Sequence, residues 1–593
     1  MKRIFLAGFS AALALTGCAT DNEFEGENGG VVSKDGVAYM TVRISDVQGT
    51  RATSGGFDQS KDASEHNVAS ADFYFYDEGG IFVTRANVWN GGEENSGEGN
   101  NVEFNGKTVV ALKGLTSKGF PKYVVTVLNR PDGFEPGKTL TEMGQLLSVE
   151  GAVDGGYKTG DNFIMSTSSY IHADGTPNFV TELVEDNFVN DPGSIDPAKV
   201  VTIYVERLAA KVKIGVTVNA EGATSPLVPV TGKPDTYEMK MTIAGDPNAA
   251  GSGSNIGSQT IHVHFLGWAL TGTAKKSLMM KDIKAWTDTE LGFSWNDEFN
   301  KRSYWGMSFN YDDAAYTYRS QANPTAAATD ALTYTSYTDA LQDGALRYGM
   351  SDAIYCAENT NTSTIVSGNP AGTLTSVLLF AEVTDTDGTA LDLVRYHGVF
   401  YEEARYIAYV FDNLNKAASL NYYKKDGSTY TQIGTGDAEI NDLDGGYVNV
   451  RLTLATDTPL YAKNGEDYAL IDAKDGKTAV EQVNEKLSGF NTEGDNAIGY
   501  KGGLMYYNIA IEHLNDAGKA DVTETNVPEA VYGIVRNHVY MLNITSLSNL
   551  GMGIFDPDEV IIPDNPFEEK ELYQVGADIK ILSWKVVNQD VEL

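Results

Sequence analysis

Between Val37 and Asp46 the chain reads VAYMTVRISD, and its side chains alternate. Ala38, Met40, Val42 and Ile44 share one face of an extended segment, and Tyr39, Thr41, Arg43 and Ser45 share the other. That period of two predicts a strand with one buried side. Phe73–Tyr76 and Ile81–Val88 flank a Gly79-Gly80 turn and predict a hairpin. Further strands are predicted at Thr108–Leu112, Tyr123–Leu128, Phe163–Ser166, Val201–Val218 and Thr260–Leu270. A second block begins near Ala285, with strands expected at Ser376–Val383, Ala404–Phe411, Tyr447–Thr453, Leu504–His513 and Val531–Leu547. Short alternating runs between polar loops predict an all-β chain of Greek-key β-sandwiches. Long polar stretches such as Val88–Asn105 and Asp246–Ser258 read as surface decoration, and no repeat of solenoid length is evident.

The last stretch, Ala577–Leu593, reads ADIKILSWKVVNQDVEL and is more apolar than a free chain end. Ala577, Ile579 and Ile581 lie on one face, and Leu582, Trp584 and Val586 on the other, so both faces call for burial. The apolar phase flips between Ile581 and Leu582, which predicts two pieces joined by a bulge or bend. In the intact chain the segment is expected to be exposed or loosely packed.

Composition narrows the class. At 593 residues, 42% apolar and 10% aromatic, with 32 Tyr, 61 Gly and 17 Pro, the chain is a folded protein of two or more domains. The net charge of −37 argues against nucleic acid or an anionic membrane surface as partner, because both require clustered Lys and Arg. Its expected role is solubility. Residues 1–18 carry Lys2 and Arg3, an apolar run Ile4–Leu15 and then Leu15-Thr16-Gly17-Cys18. This is a signal peptide too short to span a bilayer, ending in a sequence that resembles the bacterial lipobox, with Cys18 as the lipidated residue. Cys356 is the only other cysteine, so no internal disulfide is expected in the mature chain. Asp21–Gly30 reads as a flexible tether. Gln48–Gly56 is a polar, small-residue loop containing Arg51, where a trypsin-like protease would find an accessible bond, or simply a surface loop.

No catalytic pattern emerges. Gly133–Thr139 (GFEPGKT) has three residues between its glycines where a phosphate-binding loop has four. His262 and His264 share a strand face and lack an identifiable third metal ligand. Asp385–Gly388 and Asn441–Gly446 are short of a calcium loop and read as turns. Neither cofactor nor metal is expected, and the chain is read as non-enzymatic.

The runs YVVTVLNRP (Tyr123–Pro131), FIMSTSSY (Phe163–Tyr170), VERLAAKV (Val205–Val212), FLGWALTGT (Phe265–Thr273), YCAENT (Tyr355–Thr360), TSVLLFAEV (Thr375–Val383), YKGGLMYYNIAIEHL (Tyr500–Leu514) and VYGIVRNHVYMLNITSL (Val531–Leu547) resemble, in order, those of type V pilus fimbrillins. The likeness is to major shaft subunits of the minor-fimbria type.

That resemblance implies two tandem transthyretin-like β-sandwich domains and a lipoprotein precursor that reaches the outer membrane through the lipid on Cys18. It further implies cleavage between Arg51 and Ala52 by an arginine-specific protease. The strand bearing Ala38, Met40, Val42 and Ile44 would then be lost. Polymerisation into a cell-surface fimbrium would follow by donor-strand exchange, with residues 571–593 as donor, including Ile579, Ile581, Leu582, Trp584 and Val586. The expected division is a signal at 1–18, a propeptide at 19–51, domains at 52–284 and 285–570, and the donor segment. Expected partners are other copies of the chain, head to tail, accessory anchor and tip fimbrial proteins, and the protease. A different reading is a glycan-binding surface lipoprotein with Trp286, Trp295 and Trp305 as aromatic platforms.

Overall fold

The computed structural model describes residues 38–46, 65, 67–87, 105–113, 115, 120–148, 156–172, 177–223, 225–244, 256–283, 287–288, 293–294, 296–297, 301–311, 332–342, 353–362, 373–416, 421–443, 445–490, 497–513, 531–563, 575–582 and 588–589. Among them strands dominate and helices are few, so the chain is all-β in class.

The first sheet is built from β1 (Ala38–Asp46), β2 (Ala71–Tyr76), β3 (Phe82–Asn87), β4 (Asn105–Leu112), β5 (Tyr123–Leu128), β6 (Met165–Thr167) and β7 (Val201–Arg207). Its spatial order is β3-β2-β5-β6-β7-β1-β4, with the short strand Thr181–Glu182 added to β5. All six residues of β2 are buried, because both faces of the sheet are covered. Phe73 and Phe75 enter a core shared with β1, β4 and β7, while Tyr74 and Tyr76 enter a second core on the opposite face. The sheet curls: the Thr84 hydroxyl on edge strand β3 donates to the Lys113 carbonyl just after edge strand β4, at 3.2 Å.

Val201–Val218, expected as one strand, is two. β7 ends at Arg207, Leu208 is fully buried, and β8 (Ala209–Val216) starts in a different sheet. β9 (Thr236–Ala244), β10 (Ile256–Thr271), β11 (Ala353–Ala357), β12 (Ser376–Thr384), β13 (Leu504–Ala510), β14 (Val539–Leu547), β15 (Val575–Leu582) and β16 (Asn588–Gln589) complete the second assembly. One of its sheets runs β11-β8-β14-β15-β16. The other centres on β9-β10-β12-β13 and extends through Leu393–Tyr396, Val399–Glu402, Ala497–Tyr500 and Tyr447–Leu452. A continuous apolar core lies between them, with Val212, Ile214 and Leu542 from one sheet meeting Val263, Leu379 and Tyr507 from the other. Strand pairing therefore changes sheets at Leu208, well before the 284/285 boundary expected from the sequence, and β8 to β10 belong with the later strands.

Ala404–Phe411, expected as a strand, lies in a helix, Glu403–Lys416. Its buried residues Tyr406, Ile407, Val410 and Phe411 recur with the helical period, which the local alternation of small and large residues disguises. The helix packs with a second one, Ala479–Ser488, in a satellite core. Thr478 and Glu481 close a capping box at the start of that second helix. No helix among the described residues is long and apolar enough to cross a membrane.

Candidate functional site

β1 is not an edge strand. It runs parallel to β7, with Val42 opposite Val201 and Asp46 opposite Val205, and antiparallel to β4, with Ala38 opposite Leu112 and Ser45 opposite Asn105. Both of its backbone edges are engaged, so its removal would bare one edge of β7 and one of β4. Ala38 and Met40 are fully buried in the core they share with Val110 and Leu112 of β4 and with Val201 and Ile203 of β7. Burying the Met40 side chain alone is worth roughly 1.5–3 kcal/mol. Val42 and Ile44 lie in the same ladder, opposite Val201 and Ile203.

The second assembly repeats this arrangement. β8 runs parallel to β14 and antiparallel to β11, as β1 does to β7 and β4. The duplication lies in pairing rather than in residue identity, which is why inspection of the sequence for repeats misses it. The two first strands differ in how they are attached. β8 follows β7 directly through Leu208, whereas β1 is separated from β2 by the segment containing Arg51. β8 is thus covalently held on its leading side by the first sheet.

Downstream of Arg51 a buried ionic cluster pins the chain. Lys211 on β8 bonds the Glu65 carboxylate at 2.5 Å, the Arg207 Nε donates to the Glu65 carbonyl at 2.5 Å, and the Tyr355 hydroxyl donates to the same carboxylate. Burial alone would raise the Glu65 pKa. The Lys211 ammonium and Arg207 guanidinium outweigh it and hold the carboxyl below its ordinary value. Sequence reasoning missed Glu65, because one acidic residue in a polar segment carries no signal.

The terminal strand is paired within its own chain. β15 runs antiparallel to β14, with Ile579 opposite Leu542, Ile581 opposite Tyr540 and Leu582 opposite Val539, and β16 folds back onto it. The backbone of β15 is held in a ladder, whereas the expectation of an exposed or loosely packed segment concerns side chains that lie outside what the structure describes. The ladder with β14 ends at Leu582, residues 583–587 between β15 and β16 lie outside the described residues, and the register shift within the ladder is on the partner strand, between Ile544 and Ser546. Cys18, Arg51, Ala52, Trp584 and Val586 lie outside the described residues.

The other sequence candidates resolve into local chemistry. Asp385 accepts from the amides of Asp387 and Thr389 at 2.9 and 2.8 Å, and those backbone bonds, Thr389 first, lower its pKa; it is a turn residue. Gly133–Thr139 leads into a short helix, Leu140–Gly144, whose Thr139 cap accepts from Glu142 while the Glu142 carboxylate accepts from the Lys138 amide at 2.8 Å. The Thr139 hydroxyl thus satisfies a first-turn amide, and the acid takes up the amide just before the cap. In the Asn441–Gly446 turn the amides of Gly445 and Gly446 donate to the Glu559 carboxylate. His262 lies 3.4 Å from the Lys233 ammonium and His264 lies 3.9 Å from Glu382. Among the described residues no group of three His, Cys, Asp or Glu is placed to hold a metal. Trp305 is fully buried and packs against His513, which removes it as a surface platform; Trp286 and Trp295 lie outside the described residues.

Residues 499–590 match the family described as major fimbrial subunit protein type IV, fimbrillin, C-terminal. That region begins just before β13 and includes β14, β15 and β16. No curated protein matches the chain. Among solved structures, a fimbrilin (FimA) from Porphyromonas gingivalis W83 is similar at 14% identity and a TM-score of 0.34, over 93% of this chain and 98% of that one. A fimbrial assembly protein from Parabacteroides distasonis gives 10% identity and 0.26, over 73% and 97%. The C-terminally truncated tip fimbrial protein Mfa3 of P. gingivalis gives 10% and 0.26, over 89% and 99%. Scores this low assign no function.

Proposed function

We propose that this chain, a fimbrillin by its C-terminal region, is the structural shaft subunit of a cell-surface fimbria, exported as a lipoprotein and assembled by donor-strand exchange. The observation that carries the reading is the place of β1: an interior strand with two engaged edges and a buried face, joined to the rest of its sheet through the segment that contains Arg51. Lipidation at Cys18 would hold the precursor at the outer membrane. An arginine-specific protease cutting between Arg51 and Ala52 would release β1, and the groove between β7 and β4 would accept residues 571–593 of the next subunit. The donor must leave its own pairing with β14 to do so, which exchanges one ladder for another. Durability then comes from the slow opening of a continuous ladder rather than from a large net free energy. Anchor and tip subunits would close the ends of the fibre, and the role is non-catalytic, supporting adhesion.

The test is cleavage of the purified precursor with a trypsin-like protease. The expected result is a new N-terminus at Ala52 and SDS-resistant ladders, with fibres in negative stain. A chain lacking residues 571–593 should be cut equally and remain monomeric. Cleavage at Ala52 with no polymer under permissive conditions would overturn the reading, and ladders from the truncated chain would move the donor elsewhere.

A further inference from the structure

Four strands, Tyr422–Asp426, Thr429–Gln432, Leu460–Asn464 and Asp467–Leu470, form a separate antiparallel sheet on the second assembly. One face is anchored: Leu460 is fully buried and Tyr422 packs beside it in the satellite core with the two helices. The opposite face points away from that core. On it Tyr423 stands opposite Tyr461, Lys425 opposite Tyr430, and Lys463 opposite Tyr468. A solvated face of an antiparallel sheet ordinarily alternates to small polar and charged residues; this one presents four tyrosines.

The rings form a single group. Tyr430 and Tyr468 stack in parallel with centroids 4.1 Å apart, Tyr461 meets Tyr430 edge-on at 5.0 Å, and Tyr423 meets Tyr468 edge-on at 4.9 Å. Lys425 lies 5.0 Å from the Tyr430 centroid and Lys463 lies 5.7 Å from that of Tyr468. Neither ammonium has a carboxylate partner among the described residues, although the chain holds 81 Asp and Glu against 44 Lys and Arg. Beside them Leu470 is 55% exposed. Tyrosine provides large, rigid contact area at little entropic cost and is enriched at the centres of protein interfaces.

We infer that this face docks onto the carboxylate-rich surface of a second copy of the chain, as a lateral contact between subunits or fibres. The ring faces of Tyr430 and Tyr468 are already taken up by each other and by the lysines, so a flat sugar has little ring surface to stack on. The four rings are half-buried and the two ammoniums exposed, a combination that suits carboxylates and protein surface. Every other copy supplies that chemistry, since each carries a net charge of −37. The inference rests on the shaft reading only for the repetition that would turn a weak contact into avidity.

The experiment uses the uncleaved full-length chain, with β1 in place, so that its outcome is independent of polymerisation. Sedimentation velocity across a concentration series should show reversible self-association. Association should strengthen as salt rises from about 10 mM to about 150 mM, because the Debye length falls from roughly 30 to 8 Å and screens the net repulsion more than contacts at the interface. The double variant Tyr430→Ser/Tyr468→Ser should weaken it by at least about tenfold. Lys425→Glu/Lys463→Glu, which alters only exposed side chains, should do the same. A wild-type chain that stays monomeric at every concentration and salt, or an association unchanged in the charge-reversed variant, would overturn the inference. A monomer retained on an acidic polysaccharide column would do so as well, by assigning the face to a glycan.

Discussion

Replacing Met40 with Ala probes the slot directly. The side chain is fully buried on an interior strand, and its neighbours sit on strands of a sheet curled so that its edges approach. The hole therefore has little room to collapse. Met-to-Ala changes in such settings cost about 2–5 kcal/mol, and a value of ~3 kcal/mol corresponds to roughly a 150-fold loss in the folding equilibrium of the first sheet. With an m-value near 2 kcal/mol per molar of urea, the midpoint of that sheet's unfolding would fall by about 1.5 M. The assay is urea unfolding of the intact precursor, read by hydrogen exchange at the amides of β7 and β4. Leu112→Ala on β4, also fully buried, is the comparison. On the assembly proposed above, the loss from Met40→Ala should disappear in fibres formed once the chain is cut at Arg51, whereas that from Leu112→Ala should persist. A precursor loss below about 0.5 kcal/mol, the range of ordinary surface substitutions, or a Met40 effect that survives into the fibre, would refute the reasoning.

Other outcomes follow from the same geometry. Glu65→Gln leaves Lys211 buried beside a neutral partner and should destabilise the intact chain by about 3–5 kcal/mol, measured by thermal or urea unfolding. Because the folded Glu65 carboxyl titrates below its ordinary value of 4.5, its contribution is fully present above that pH. It should be lost as the pH falls through the lower folded value, seen as a pH-dependent midpoint absent from the Gln variant. Gly503 has φ near +72°, and a Cβ there would lie 2.3 Å from the Val383 carbonyl oxygen. Gly503→Ala should therefore lower the unfolding midpoint of the second assembly, while Ala at exposed Gly465, where nothing lies within 4 Å, strains only φ and costs less. Cys356 is buried and burial pushes its thiol pKa up, so the folded chain should resist alkylation at pH 8 and react on addition of denaturant.

How far the sequence reached depended on the range of the interaction. Alternation is a local property of the chain, and it located β1, β2, β5 and β12 because each has one face or two turned to a core. It failed at Ala404–Phe411, where a helical period and a strand period both fit a short run of aromatic and aliphatic residues, and packing against the second helix decided for the helix. The apolar terminal stretch was legible as a strand; that its backbone pairs with β14 depends on a partner outside the stretch itself.

By itself, then, the sequence determined the all-β class, the buried face of β1 and the likeness to fimbrillins, since each is written in residue types and their spacing. Only the tertiary structure decided that β1 is an interior strand, that the chain changes sheets at Leu208, that Glu65 is fastened to Arg207 and Lys211, and that four tyrosines gather on one exposed sheet. Each of these depends on which distant segments become neighbours, and a strand's own side chains record that it will be covered without recording by what.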